Sequence, residues 1–104
     1  ETFSYSTSKA AVHHLTRHLA KRLVGENILV NAIAPGPYPS NMLGSAVAHD
    51  YSEIAASNPR KRVGTPEDIA GLVIFLCSRA GAYTVGETIT TDGGLVKTSG
   101  HNLG

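Results

Sequence analysis

Residues 28–34 read Ile-Leu-Val-Asn-Ala-Ile-Ala, apolar at every position except Asn31. No alternation of apolar and polar residues runs through the segment, so both of its faces expect burial. A strand in a parallel sheet has that pattern. Pro35, Gly36, Pro37 and Pro39 follow at once. No regular element continues through such a cluster, because proline lacks the N–H and fixes its own φ. Parallel sheets need helices on both faces and more than two strands. One short segment therefore asks for an α/β architecture with strand neighbours on either side.

The flanking residues supply helices. Ala11, Leu15, Leu19 and Leu23 recur every fourth residue, with Val12, Thr16, Ala20 and Val24 as a second row. Together they form one broad apolar face of a helix over 6–24, opened by Ser6, Thr7 or Ser8 and stopped at Gly25. Lys21 and Arg22 fall in its last turns, where cations suit the helix dipole. Thr65-Pro66-Glu67-Asp68 starts a second helix, with Thr65 as N-cap, Pro66 in the first position and Asp68 as the capping-box acid. Ile69, Leu72, Val73 and Leu76 form its buried stripe, and Gly81 stops it. Residues 87–91 alternate around Ile89 as a strand, closed by Asp92-Gly93-Gly94. Residues 40–62 carry little regular pattern, with a short helix possible over 41–51, and long connections of this kind are often functional. The tail over 97–104 reads as loose.

The order is helix, strand, loop, helix, strand, and the strand–helix–strand part is a right-handed crossover unit. Two strands do not complete a sheet. The chain opens at Glu1, directly on helical pattern and without the charged and apolar regions of a signal peptide. The expectation is that residues 1–104 are an incomplete single domain, too small a core to fold well alone.

Composition excludes several classes. The chain is 41% apolar and 16% charged, with a net charge of +1, which suits a globular interior and argues against disorder. The balanced charge gives no footprint for nucleic acid. No apolar run approaches the roughly 18 residues of a membrane span. The single Cys77 excludes an internal disulfide and a cysteine-rich zinc site.

Tyr5 and Lys9 stand four apart on a helix, about 40° from each other around its axis and one turn apart along it. A free phenol has a pKa of about 10 and is a poor base near neutrality. A neighbouring ammonium favours the phenolate, and the positive end of a helix acts in the same sense. The pair suits a tyrosine that exchanges a proton with an alcohol or ketone oxygen. The same spacing also fits a helix-entry tyrosine beside a solvated lysine.

The surrounding motifs decide between these. Tyr5-Ser6-Thr7-Ser8-Lys9-Ala10-Ala11-Val12 is followed by Val30-Asn31-Ala32-Ile33-Ala34-Pro35-Gly36, then Arg62-Val63-Gly64-Thr65-Pro66-Glu67-Asp68-Ile69-Ala70, then Gly86-Glu87-Thr88-Ile89-Thr90-Thr91-Asp92-Gly93-Gly94. In this order and spacing, over nearly all of 4–95, the chain resembles the C-terminal part of a short-chain dehydrogenase/reductase. The 3-oxoacyl-acyl-carrier-protein reductase branch, including its rhamnolipid-biosynthesis type, is the most similar.

The resemblance implies a Rossmann-like doubly wound parallel sheet whose N-terminal nucleotide-binding half is absent here. It implies hydride transfer between NAD(P)H and a carbonyl or alcohol, with NADP slightly favoured. Tyr5 would be the general acid or base, and Lys9 would hold the nicotinamide ribose and lower the tyrosine pKa. Pro35 and Gly36 would pass under the nicotinamide, and the Tyr38 backbone would meet its carboxamide. Ser40 stands where the family often has Thr, near carboxamide and phosphate. Residues 41–62 would be the substrate lid. A cytoplasmic homo-oligomer, dimer or tetramer, is implied for the intact protein, with no nucleic acid or membrane partner. The family's Gly-rich phosphate loop, its catalytic Ser and the residue choosing NAD or NADP would all precede Glu1, so the isolated chain is expected to be inactive.

Other readings carry less. Ser6-x-x-Lys9 matches the Ser-x-x-Lys of penicillin-binding enzymes and Lys97-Thr98-Ser99 only faintly resembles their Lys-Thr-Gly, while the Ser-x-Asn between them is absent. His14 and His18 share a helix face without a third ligand nearby. Cys77 reads as buried filler, Asn31 as the partner of a local hydrogen bond, and Asp92-Gly93-Gly94 as a tight turn. An alternative of another class is a non-catalytic oligomerisation or interaction module derived from the same family.

Overall fold

A computed structural model describes residues 2–39 and 52–98. In chain order these form helix α1 (Thr2–Leu23), strand β1 (Ala32–Pro35), a short helix α2 (Ser52–Ala56), helix α3 (Pro66–Cys77) and strand β2 (Thr88–Thr91). β1 and β2 pair in a two-stranded sheet. The bonds from Ala32 N–H to the Glu87 carbonyl and from Gly36 N–H to the Thr91 carbonyl advance in the same sense along both strands, so the pairing is parallel. The α/β expectation therefore holds, with α3 in the connection between parallel strands. The chain divides into two compact units, Glu1–Ile33 with Val73–Ile89, and Ala34–Leu72 with Thr90–Gly104.

In the first unit α1 starts at Thr2, earlier than the predicted residue 6. Ser4, Ser6, Thr7 and Ser8 lie exposed within the helix and do not open it. The helix closes through a 3-10 turn, Val24–Glu26, and Asn27 takes the left-handed conformation (φ 65°) with its N–H on the Val24 carbonyl. The α-helix itself ends at Leu23, one residue short of the predicted 24, and the left-handed position that closes the turn after it falls on Asn27 and not on Gly25. Asparagine is among the few non-glycine residues that tolerate that region. Of the predicted apolar face, Thr16 and Ala20 are buried, and the Thr16 hydroxyl donates to the Val12 carbonyl at 2.8 Å. Val12, Leu15 and Leu19 are exposed.

The predicted strand over 28–34 is shorter in the structure. Val30 still accepts from Gly86 N–H, but Ile28 and Leu29 are exposed and outside the ladder. Their sequence suits a strand, but a ladder needs a facing backbone, and β2 begins only at Thr88. Asn31 bonds at long range, not locally. Its amide N–H₂ donates to the Thr84 carbonyl and its carbonyl accepts from Glu87 N–H, both at 3.0 Å. One side chain thus ties the approach to β2 onto the approach to β1.

α3 begins as predicted. Asp68 N–H donates to the Thr65 hydroxyl oxygen, and Thr65 N–H donates to the Asp68 carboxylate at 2.8 Å, the reciprocal pattern of a capping box. Ile69, Leu72 and Leu76 are half-buried. Val73, placed in the buried stripe by its spacing, is exposed with Ile74 and Phe75, because no described element covers that side of the helix. The helix ends at Cys77, and Gly81 lies buried in a 3-10 turn after it. Cys77 is exposed, which corrects its reading as core filler.

Among the described residues the buried apolar side chains reduce to Ala20, while Ile74 and Val96 are 66% and 64% exposed. So little apolar burial is small against the entropy of ordering a chain. The 104-residue chain by itself is expected to lose its far-UV circular dichroism over a broad, non-cooperative thermal transition. A sharp two-state melt would contradict that expectation.

Candidate functional site

Tyr5 and Lys9 both lie within α1, so the four-residue spacing does place them on adjacent turns of one helix. Lys9 is exposed. This pair belongs to the first unit. Pro35, Gly36 and Tyr38 belong to the second. Ser40 and residues 41–51 of the expected lid lie outside the described residues. The described remainder of that lid holds α2 and a turn through Asn58 and Pro59.

The Pro35–Tyr38 segment leaves the C-terminal end of β1, where α/β proteins place their ligands. Its shape is set by close approach. Gly36 N–H donates to the Thr91 carbonyl at 3.0 Å. A Cβ on Gly36 would fall 2.4 Å from Asp92 Cβ and 2.7 Å from its Cα, so the two backbones pack too tightly for any side chain there. Asp92 is buried, and its carboxylate accepts from Gly94 N–H (2.9 Å) and Val96 N–H (3.1 Å). Asp92-Gly93-Gly94 is thus a turn built around one satisfied carboxylate, with Gly93 and Gly94 at φ 70° and 93°.

On the other side of the segment, Gly64 N–H donates to the Pro37 carbonyl at 2.9 Å. The Tyr38 ring lies against Gly64, and its hydroxyl is 2.7 Å from the Thr91 hydroxyl. Asn58, 1% exposed, donates from its amide to the Arg62 carbonyl, and Arg60 N–H reaches the Gly93 carbonyl. A cavity of about 360 Å³ opens here, lined among others by Tyr38, Arg60, Arg62, Asp68 and Lys97.

Arg62 and Asp68 form a two-point ion pair, at 2.7 and 3.3 Å. The Arg62 guanidinium, with the backbone and hydroxyl of Thr65, holds the Asp68 carboxyl well below the usual carboxylate range, and Asp68 in turn raises Arg62. A carboxylate accepting three such donors stays charged well into acid. Sequence reasoning assigned Asp68 to the cap alone. It missed Arg62 as the second partner and Thr91 as the residue that meets Tyr38. Thr91 is 53 residues from Tyr38 in the chain, and no local pattern announces such a pair.

Pro35, Pro37 and Pro39 have no N–H, so Gly36 and Tyr38 carry the backbone donors of 35–39. Gly36 spends its donor on Thr91. The family resemblance sets the Tyr38 backbone against the carboxamide. His14 and His18 sit edge-on with ring centres 4.4 Å apart, and the described residues hold no group of three potential metal ligands.

A family model described as enoyl-(acyl carrier protein) reductase matches residues 1–96. The chain belongs to the short-chain dehydrogenase/reductase family. It is 48% identical over 97 residues to the rhamnolipids biosynthesis 3-oxoacyl-[acyl-carrier-protein] reductase of Pseudomonas aeruginosa, covering 90% of this chain and 38% of that protein. The 7alpha-hydroxysteroid dehydrogenase of Escherichia coli K12 is 40% identical over 95 residues, covering 90% and 37%. Among solved structures, the Pseudomonas aeruginosa RhlG/NADP active-site complex superimposes with a TM-score of 0.82 at 48% identity, covering 91% of this chain and 39% of that one. The chain thus spans under two fifths of the length of these relatives. The Rossmann-like fold expected from the resemblance agrees with that superposition. No helix among the described residues is long and apolar enough to cross a membrane.

In the protein with whatever sequence precedes Glu1 in its gene, the Asp68 carboxyl carbon, followed by NMR as pH falls, should titrate with a midpoint well below the ordinary value of about 3.9. Arg62→Gln should move the midpoint upward. Because the folded pKa is the lower one, the stability this carboxylate contributes is complete above about pH 4 and is lost as pH falls through the folded value.

Proposed function

We propose that the whole protein is an NAD(P)-dependent oxidoreductase that moves hydride between NAD(P)H and a carbonyl or alcohol, with 3-oxoacyl thioesters as the first substrates to try. The observation that carries this reading is the family match over residues 1–96, within which Tyr5, Lys9, Pro35, Gly36, Tyr38 and Ser40 all fall. NADP is the first cofactor to test, since related solved structures include an NADP active-site complex, a protein with bound NADP and an NADPH-dependent reductase. A cytoplasmic dimer or tetramer is the accompanying expectation.

In this reading the Tyr5 hydroxyl gives its proton to the substrate oxygen during reduction and takes it back during oxidation. Lys9, one turn along α1, favours the phenolate and holds the nicotinamide ribose hydroxyls. Pro35, Gly36, the Tyr38 backbone and the Ser40 hydroxyl hold the nicotinamide side of the cofactor. Bound NAD(P)H supplies the hydride.

The test is a hydride-transfer assay on the protein with whatever sequence precedes Glu1 in its gene. NADPH and NADH oxidation would be followed by absorbance against ketones and 3-oxoacyl thioesters. Tyr5→Phe should lower turnover at least about a hundredfold, the lower bound for losing a general acid. Undiminished turnover in that variant would sink the assignment of Tyr5. A folded protein that neither binds nor oxidises either nucleotide would favour the interaction module.

A further inference from the structure

We propose that the Tyr38 side chain is a positioning residue, wedged between Gly64 and Thr91 so that the Pro35–Tyr38 segment keeps the shape that meets the nicotinamide. The proposal rests on the reading that this segment faces the cofactor, and it goes beyond that reading. The family resemblance gives position 38 a role through its backbone alone, which any side chain could support.

Three bonds and one contact make the case. Thr91 grips the segment twice, once through its backbone carbonyl, which accepts from Gly36 N–H at 3.0 Å, and once through its hydroxyl, 2.7 Å from the Tyr38 phenol. Gly64 N–H holds the Pro37 carbonyl between those points at 2.9 Å. The Tyr38 ring then fills the space over Gly64. A Cβ at residue 64 would fall 2.2 Å from ring Cε2 and 2.3 Å from Cζ. Position 64 thus has room for the ring only because it carries no side chain.

The prolines sharpen the consequence. Alternating prolines fix φ at 35, 37 and 39, and they leave Gly36 and Tyr38 as the backbone donors of the segment. The Gly36 donor is committed to Thr91. The backbone that the resemblance sets against the carboxamide therefore belongs to the residue whose side chain is clamped. Its direction follows the side chain through a single Cα. Both residues are half-buried.

The experiment uses the protein with whatever sequence precedes Glu1 in its gene and compares Tyr38→Phe, Thr91→Val and the double variant. Tyr38→Phe keeps the ring over Gly64 and removes only the hydroxyl. Thr91→Val removes the other hydroxyl at nearly constant shape. Each single variant should raise the KM and Kd for NADPH by about two- to tenfold, the range for loss of one neutral hydrogen bond. The KM for the carbonyl substrate and the melting temperature should stay close to those of the parent. The double variant should be no worse than either single, because both delete the same bond.

Unchanged nucleotide KM and Kd in Tyr38→Phe would overturn the proposal. So would additive losses in the double variant, or a rise in both KM values that tracks a fall in melting temperature, which marks a merely structural role. A parent that binds no nucleotide fails the functional reading itself. A parent that binds nucleotide, with a Phe variant that binds it equally well, fails this proposal alone.

Discussion

The hydrogen bond from Gly36 N–H to the Thr91 carbonyl is the contact on which the second unit depends. It is the last rung between the two strands, and it draws the Gly36 backbone onto Asp92 until no Cβ fits between them. From that point two loops leave the same end of the parallel pair, each running on toward the C-terminus. One carries Pro37 and Tyr38. The other turns through Asp92 and its glycines. Each is then fixed by side chains of its own: the Tyr38 phenol on Thr91 in the first, the Asp92 carboxylate on the N–H groups of Gly94 and Val96 in the second. Elsewhere in the same unit, the start of α3 is tied back to Arg62 through Asp68. Backbone pairing supplies the register, and a handful of polar side chains convert register into loop shape.

Much of the fold was legible because its signals are local. Thr65-Pro66-Glu67-Asp68 named a helix start, and the structure puts the cap where the motif did. The proline cluster marked where β1 must stop. What the sequence could not convey was mutual in nature. Ile28 and Leu29 have every property of strand residues, yet a ladder is made by two backbones and depends on where β2 begins. Val73 fits the apolar stripe of α3 by spacing, yet burial needs a covering surface. Asn31 read as a polar exception in an apolar run, and its two partners lie more than fifty residues away.

The candidate site divides along the same line. Tyr5 and Lys9 were placed together by helical periodicity alone, and α1 carries both. The roles of Pro35, Gly36, Tyr38 and Ser40 came only through resemblance to a family, since nothing in their spacing speaks of a nucleotide. Thr91 and Gly64 entered only with the structure. Their importance lies in what they touch, and neither residue type advertises a role at its own position.

The Tyr38–Gly64 contact also limits how this chain can drift in sequence. A ring that occupies the space where the Cβ of residue 64 would stand makes the two positions a single unit of substitution. Position 64 is free to gain a side chain only after position 38 has given up its aromatic ring. With the Tyr38 ring in place, a side chain at 64 has to displace it before it finds room. A change at 64 and a smaller side chain at 38 therefore belong together as one step in this chain.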